Sequence, residues 1–298
     1  MTRSFLVMAH SGRPESIAAA ALACRELIAG GAAAVVLDSQ YAEISAHDDT
    51  AVSVLGRDFA VEDIELVICL GGDGTILKAA ELVRGHAAPI LGVNMGHVGF
   101  LAELEAEELE SVVHRALAKD YVIDERLALD VSVEVNGTSV HETWALNEAS
   151  VEKSSHERMI EVVIAVDDRP ISTFGCDGVL MATPTGSTAY SFSAGGPVVW
   201  PTVEALILVP LSAHALFSRP LVTSPTSTLT VDVLDRTGAS GVLWCDGRRT
   251  YDLLPGSRIV VKRSDTPVRL ARTHTGPFAE RLVKKFSLPT EGWRGSSS

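Results

Sequence analysis

The residues with the clearest capacity for chemistry form a short glycine turn that contains an acid, the stretch GGDGT at residues 71–75. In α/β proteins, the backbone N–H groups of such a turn bind phosphate together with the N-terminus of the following helix. Asp73 is unusual there because a carboxylate repels phosphate. It suits a residue that accepts a proton from an attacking hydroxyl or holds a divalent cation. The alternative is a tight turn in which Asp73 only caps the helix.

A second glycine turn, NMGHVGFL at residues 94–101, follows the apolar run Pro89–Val93. Glycine turns that follow successive strands of a parallel sheet lie at the same edge of that sheet, which predicts a shared crevice. His97 is typical of a solvated loop histidine. The residues that we expect to form the structural loop of the site are Asn94, Gly96, Gly99 and Phe100.

A third segment, DGVLMATPTGSTAYSFSAGGP at residues 177–197, carries hydroxyls and glycines but no charge after its first residue. Such a segment suits backbone and hydroxyl contacts with a ligand, and Tyr190 offers a stacking face. Upstream, the polar pair Asn147-Glu148 follows an apolar stretch. The pair either recognises ribose hydroxyls or simply ends a strand.

The elements that position these turns alternate between strands and helices in the first part of the chain. Apolar runs at Phe5–Ala9, Ala33–Leu37 and Leu66–Leu70 predict buried strands. Helical stripes at residues 17–28, 75–84 and 109–117 separate or follow them. This alternation predicts an open, Rossmann-like α/β domain over residues 1–120.

After Tyr121 the hydrophobic period changes from helical to alternating. The run Leu129–Val135 alternates apolar and polar residues, and Asn136-Gly137 then predicts a type I′ hairpin turn. Similar β-rich runs continue, which predicts a β-rich domain over residues 121–274. Residues 275–298 contain an apolar stripe typical of a short helix, and we expect this helix to pack back on the first domain.

Composition excludes several classes of function. The 298 residues carry 25 basic and 38 acidic side chains, a net charge of −13, which argues against nucleic acid and anionic membranes as partners. The four cysteines form no CxxC pair, which argues against a zinc ribbon or a disulfide framework. An apolar run of about 18 residues, which a membrane span needs, is absent. A cytoplasmic location is therefore expected.

Four segments closely resemble, in their order along the chain, the motifs of the NAD kinase family. They are GGDGT, NMGHVGFL, LNEAS and DGVLMATPTGSTAYSFSAGGP. The resemblance extends over about residues 66–248, and the whole sequence is similar to actinobacterial members. It implies transfer of the γ-phosphoryl group of ATP, or of polyphosphate, to the 2′-hydroxyl of the adenosine ribose of NAD, which gives NADP. It also implies Mg²⁺ or another divalent cation with ATP, and a homodimer or homotetramer.

The same resemblance implies roles for individual residues, with Asp73 as the catalytic base. The phosphate turn and the basic position one helical turn later are Gly71, Gly72, Gly74, Thr75 and Lys78. The positions that match NAD-binding residues are Asn147, Glu148, Arg158, Asp177, Thr185, Gly186, Ser187, Thr188, Ala189, Tyr190 and Ser193. Two departures concern the second nucleotide site: Ala213 precedes His214 where proline is common, and Arg248 stands where glutamine is common.

Two other functions stay open at this point. A soluble lipid kinase of the diacylglycerol type also contains the GGDGT turn, but it leaves the Asn147-Glu148 pair and the hydroxyl-rich segment without a role. A non-catalytic NAD-binding sensor would bind NAD without consuming ATP, and Asp73 in the turn argues against it.

Overall fold

The structure of the chain is a computed structural model that describes residues 2–47, 51–96, 99–102, 104–105, 108–154, 158–273 and 276–290. His97 lies outside these residues, as do residues 275 and 291–298 of the expected returning segment. The chain divides into two compact units, one of Met1–Glu125 with Val268–Ser298 and one of Arg126–Pro267. None of the helices that the structure describes is long and apolar enough to cross a membrane.

An eight-stranded sheet forms the centre of the first unit. Its strands are β1 (Ser4–Ala9), β2 (Ala33–Val36), β3 (Ser53–Val54), β4 (Leu66–Leu70), β5 (Ile90–Asn94), β6 (Leu104–Glu105), β7 (Val122–Arg126) and β20 (Val268–Arg272). They lie in the order β3-β2-β1-β4-β5-β20-β7, with β6 beside β5. β1 pairs in parallel with β2 and β4, and β5 with β4 and β20. Every residue of β4 is buried, as expected in the middle of a parallel sheet.

Most helices of the first unit form where the sequence shows an apolar stripe with helical spacing. They are α1 (Pro14–Ala29), α2 (Asp38–His47), α3 (Asp73–Leu82), α4 (Leu109–Ala118) and α6 (Phe278–Phe286). The sequence pattern does not predict α2, because Gln40 and Ile44 are the only residues of this helix that are buried, and two residues make no clear apolar stripe.

The second unit contains two six-stranded sheets whose pairs are antiparallel. One sheet has β8 (Leu129–Val135), β9 (Thr138–Ala145), β11 (Ile160–Val166), β12 (Arg169–Cys176), β16 (Leu229–Val233) and β19 (Arg258–Arg263). The other has β10 (Glu148–Lys153), β13 (Gly178–Ala182), β14 (Leu206–Leu211), β15 (Leu221–Thr223), β17 (Gly241–Cys245) and β18 (Arg249–Leu253). A short helix, α5 (Tyr190–Ser193), follows β13. Val131 and Val151 belong to one shared core, so the two sheets pack as a sandwich.

The hairpin between β8 and β9 forms at the predicted turn. Asn136 has φ 52° and Gly137 has φ 77°. Positive φ at both central residues is the signature of a type I′ turn, which matches the twist of the flanking strands. The α/β unit followed by a β-rich unit, as expected from the sequence, is confirmed.

After the second unit the chain returns to the first. Leu270 of β20 pairs with Ile90 of β5. The rings of Phe278 and Phe286 in α6 lie 5.8 and 5.7 Å from the ring of Phe100, in the loop after β5. The returning helix expected from the sequence is therefore confirmed.

The observed unit boundaries differ by a few residues from the expected ones. The β pattern of the sequence assigns residues 122–125 and 268–273 to the β-rich half, whereas β7 and β20 join the first sheet. A short apolar run indicates a strand but does not indicate which sheet it joins.

We expect Ile68→Ala to lower the free energy of unfolding by about 2 to 5 kcal/mol, because removal of a fully buried side chain leaves a cavity. The matched control is Ile123→Ala in β7, where the side chain is 46% exposed and the expected change is within about 0.5 kcal/mol. Urea denaturation followed by far-UV circular dichroism measures both. Equal losses in the two variants would contradict the burial assigned to β4.

Candidate active site

Asp73 is the first residue of α3, and its side chain contacts the loop after β5. The N-cap is Gly72, with φ −92° and ψ −170°. Asp73 Oδ2 accepts the backbone N–H of Phe100 at 3.0 Å, and Oδ1 accepts that of Leu101 at 3.0 Å. The capping interpretation is therefore wrong, because the carboxylate joins the two glycine turns instead of closing its own helix.

The glycines of these turns have two different roles. A Cβ on Gly99 would collide with the Asp73 carboxylate, and one on Gly71 would collide with the Thr75 side chain. Around Gly72 and Gly74, the described structure leaves open space. Gly71 and Gly99 therefore permit close packing, while Gly72 and Gly74 leave the backbone open to a ligand.

The open face of the turn coincides with the N-terminus of α3. The first N–H groups of a helix have no partner within it, and together with the helix dipole they favour an anion. Lys78 is exposed one turn further along α3. Asn94, the last residue of β5, is buried, and in the loop that follows Gly96 has φ 118°, a value that favours glycine. The open turn and the uncapped helix N-terminus are therefore compatible with an anion such as a phosphate group.

In the second unit, a carboxylate about 100 residues further along the chain holds the turn at Asn147 and Glu148. Asp246 accepts the backbone N–H of Leu146 at 3.0 Å and that of Asn147 at 2.7 Å. Arg249 donates to the same carboxylate at 2.9 Å. The sequence indicates Asp246-Gly247 only as a turn, because nothing local shows which distant backbone the aspartate contacts.

The segment after β13 packs directly on this turn. The Thr183 hydroxyl donates to the Leu146 carbonyl at 2.6 Å and accepts the Gly186 N–H at 3.1 Å. A Cβ on Gly186 would collide with the Asn147 backbone. Asn147, Glu148, Thr185 and Gly186, which the sequence predicts for one site, are therefore brought together.

Two hydroxyl residues predicted for the site, Ser187 and Thr188, form hydrogen bonds within the loop itself. Ser187 is fully buried, donates to the Pro184 carbonyl at 2.7 Å and accepts the Val199 N–H at 3.0 Å. Thr188 donates to the Thr185 carbonyl at 3.3 Å. Their side chains fix the loop, so the expected ligand contacts of Ser187 and Thr188 would come from their backbone atoms.

A cavity of about 650 Å³ lies beside this loop, within the range of small-molecule sites. Three residues predicted from the sequence line it, namely Asp177, Tyr190 and Ser193. The remaining lining residues are Glu152, Lys153, Ser154, Ala194, Pro210, Leu211 and Ser212. Tyr190 is 41% exposed, so its ring is available for stacking. Arg158 is exposed, lies two residues before β11 and is not among the residues that line the cavity. Ala189 directly precedes Tyr190 in the loop after β13.

Lys153 is not predicted from the sequence, yet its Nζ lies 2.5 Å from Oδ1 of Asp177 in this cavity. The ammonium, together with the Ser212 hydroxyl, holds the pKa of Asp177 below its ordinary value. The Asp177 side chain stays 39% exposed, so it can still accept a hydrogen bond from a ligand. A lysine at the end of a strand gives no sequence signal for such a pairing.

Glu148 is a buried acid with an unusual charge state. Burial, the nearby Asp246 carboxylate and Glu152 together raise the pKa of Glu148 to about 8. Its Oε2 atom is buried and has no hydrogen-bond partner among the described residues. Burial also raises the pKa of Asp246. Burial therefore favours the protonated form of Glu148, which can donate a hydrogen bond as well as accept one.

The described residues hold no group of three or more His, Cys, Asp and Glu side chains that could bind a metal ion. Mg²⁺ usually needs only one or two carboxylates in addition to phosphates and water. Asp73 fits that lesser role, because each carboxylate oxygen keeps a lone pair beyond the one used by a backbone N–H. The donor set fits a cation that arrives with nucleotide phosphates.

The sequence matches two family descriptions, the ATP-NAD kinase N-terminal domain over residues 7–121 and the ATP-NAD kinase C-terminal domain over residues 146–273. An NAD kinase of Leifsonia xyli subsp. xyli is 60% identical over 98% of this chain and 97% of its own. NAD kinase 2 of Streptomyces avermitilis is 52% identical over 99% of this chain and 97% of its own.

Two solved structures have a similar fold. Yeast NADH kinase complexed with NADH has a TM-score of 0.87 at 23% identity and covers 98% of this chain and 89% of its own. An NAD kinase from Archaeoglobus fulgidus in complex with ATP has a TM-score of 0.71 at 26% identity and covers 96% of this chain and all of its own. The fold of both units is therefore that of NAD(H) kinases.

We expect the free energy of unfolding to fall as the pH rises from about 4.5 towards 8, and Glu148→Gln to reduce that fall. With its pKa raised to about 8, folded Glu148 keeps a proton that the unfolded chain releases near 4.5. Its stabilisation is thus complete below the lower pKa and is lost as the pH rises through the upper one. One such proton corresponds to about 1.4 kcal/mol per pH unit.

The control is Glu142→Gln, an exposed glutamate of β9 in the same unit, which should leave this pH dependence unchanged. Denaturant titrations at several pH values measure all three proteins. If the stability of Glu148→Gln declines with pH as steeply as that of the wild type, Glu148 does not carry the proton.

Proposed function

Because the chain belongs to the NAD kinase family, we propose that it transfers the γ-phosphoryl group of ATP to the 2′-hydroxyl of the adenosine ribose of NAD, which gives NADP and ADP. The observation that carries the proposal is the Asp73 carboxylate, which two backbone N–H groups hold at the start of an open glycine turn. The turn belongs to the first unit, and the cavity lined by Tyr190 belongs to the second.

Asp73 orients the ribose hydroxyl and accepts its proton while the oxygen attacks the γ-phosphorus and the bond to ADP breaks. The N–H groups of Phe100 and Leu101 use one lone pair on each carboxylate oxygen and fix the direction of the others. Phosphoryl transfer depends mainly on positioning and charge neutralisation, so a carboxylate with a fixed direction supports this role.

The donor's phosphates bind at the N–H groups of Gly72, Asp73 and Gly74 at the start of α3, with Lys78 one turn further on. The helix N-terminus supplies positive charge without a side chain. A divalent cation such as Mg²⁺ accompanies ATP, and when bound it offsets charge on the phosphates.

The NAD-binding residues belong to the second unit. The cavity offers the Asp177 carboxylate, the Tyr190 ring and the Ser193 hydroxyl, and beside it lie Asn147 and the protonated Glu148. A mixture of donors, acceptors and one stacking face suits a dinucleotide with ribose hydroxyls and aromatic bases. A lipid substrate would leave these polar groups without partners.

Incubation with ATP and either NAD or diacylglycerol separates this function from the lipid-kinase alternative. Phosphorylation of NAD alone supports the proposal, and phosphorylation of diacylglycerol contradicts it. NAD binding without any ATP consumption would instead indicate a sensor. The homodimer or homotetramer, the cytoplasmic location and polyphosphate as a donor stay predictions from the family resemblance.

We expect Asp73→Asn to lower kcat by about 10²- to 10⁴-fold, because the amide cannot accept the ribose proton. The Kd for NAD, measured by isothermal titration calorimetry, should stay close to that of the wild type, and circular dichroism should show an intact fold. NADP formation by this variant at a rate near that of the wild type would overturn the role of Asp73.

We expect Asp177→Asn to raise the KM for NAD by about tenfold or more, since a charge-assisted hydrogen bond in the cavity is lost. The KM for ATP should not change. Asp252→Asn, an exposed aspartate of β18 in the same unit, is the matched control. An equal KM for NAD in the wild type and Asp177→Asn would show that Asp177 does not contribute to NAD binding.

A further inference from the structure

The C-terminal helix α6 contacts the loop that holds Asp73. The Phe100 ring has the rings of Phe278 and Phe286 as neighbours, with centroid distances of 5.8 and 5.7 Å. The backbone N–H of the same Phe100 donates to the Asp73 carboxylate. The helix is therefore fixed to the catalytic loop by a cluster of three aromatic rings, two of which lie about two turns apart along α6.

The same helix carries a cation, Arg281, that lies against this cluster and interacts electrostatically with the Asp73 carboxylate. The Arg281 guanidinium lies 5.8 Å from the centroid of the Phe278 ring, and the residue is half-buried. Burial lowers the pKa of Arg281, and the negative charge of Asp73 opposes that shift. Arg281 is thus within electrostatic range of Asp73, on the helix that packs against the loop.

A cation at this position would offset the negative charge that accumulates in the proposed site. Asp73 is negative, and so are the phosphates of ATP that bind beside it in the proposed reaction. Two backbone N–H groups compensate the carboxylate in part, and Lys78 is exposed to solvent. A half-buried guanidinium is less screened by water than an exposed ammonium, so it attracts a nearby anion more strongly.

We propose that Arg281 binds the donor's phosphates beside Asp73, and that α6 serves to present it there. The planar guanidinium donates two parallel N–H groups to phosphate oxygens, and the aromatic cluster limits the positions it can take. The inference rests on the proposed function, because it requires ATP to be the phosphoryl donor and Asp73 to be the group that receives the proton.

The test compares Arg281→Gln and Arg281→Lys with the control Arg269→Gln. Arg269 is an arginine of β20 in the same unit, its side chain is 43% exposed, and it pairs with Glu125 at the surface. The readouts are kcat, the KM for ATP, the KM for NAD, and the binding of inorganic tripolyphosphate measured by isothermal titration calorimetry.

Arg281→Gln should raise the KM for ATP and weaken tripolyphosphate binding by about 10- to 100-fold, the effect of one charge-assisted contact. Arg281→Lys should recover part of this loss because it keeps the charge but not the two-fold donor geometry. The KM for NAD should change by less than about twofold in both variants, and the control should match the wild type throughout.

A purely structural role predicts a different pattern. If Arg281→Gln lowers the melting temperature but leaves the KM for ATP and tripolyphosphate binding unchanged, the proposal is overturned. If Arg281→Gln does not fold, unchanged ATP and tripolyphosphate affinities in Arg281→Lys overturn it instead. A wild-type protein that makes no NADP from ATP and NAD would contradict the proposed function, which is a separate failure from that of Arg281.

Discussion

One contact joins the two glycine turns of the first unit, and in it the Asp73 carboxylate accepts the backbone N–H groups of Phe100 and Leu101. An acid in a turn proposed to bind phosphate brings a repulsion that a nearby group must compensate. The two N–H groups do so at a fixed geometry, and the N-terminus of α3 has no side-chain cap. The contact requires glycine at Gly99, where any Cβ would displace the carboxylate.

The second unit uses the same device for a different purpose. The Asp246 carboxylate accepts backbone N–H groups of the turn at Leu146 and Asn147, and Arg249 balances its charge. Here the carboxylate has a structural role, and its negative charge affects the pKa of the neighbouring Glu148. A second negative charge in the same buried space is unfavourable, which is part of the reason that the pKa of Glu148 is raised to about 8.

Local patterns in the sequence predict the parts of the molecule that local physics decides. Leu66–Leu70 is a strand with the predicted bounds because five apolar residues before a glycine turn fit the buried middle of a sheet. Asn136-Gly137 forms its turn because both residues tolerate positive φ. The sequence does not reveal that Lys153 pairs with Asp177, or that β20 joins the first sheet, because these contacts depend on backbone far away in the sequence. The order of the motifs identifies most residues of the proposed site, but not the residues whose long-range contacts fix the site in position.

The net charge of −13 limits how the protein can attract anionic substrates such as ATP and NAD. Attraction at long range is unfavourable, and salt screens it beyond about 10 Å. In the proposed function, binding therefore comes from groups that act at contact distance, such as the N–H groups at the start of α3 and the hydroxyls beside Tyr190. Groups of this kind are effective only where the backbone is held in place. The partly buried carboxylate of Asp73 and the buried one of Asp246 hold that backbone by accepting its N–H groups. In the proposed function, two groups of the same charge as the substrates therefore organise the backbone that binds them.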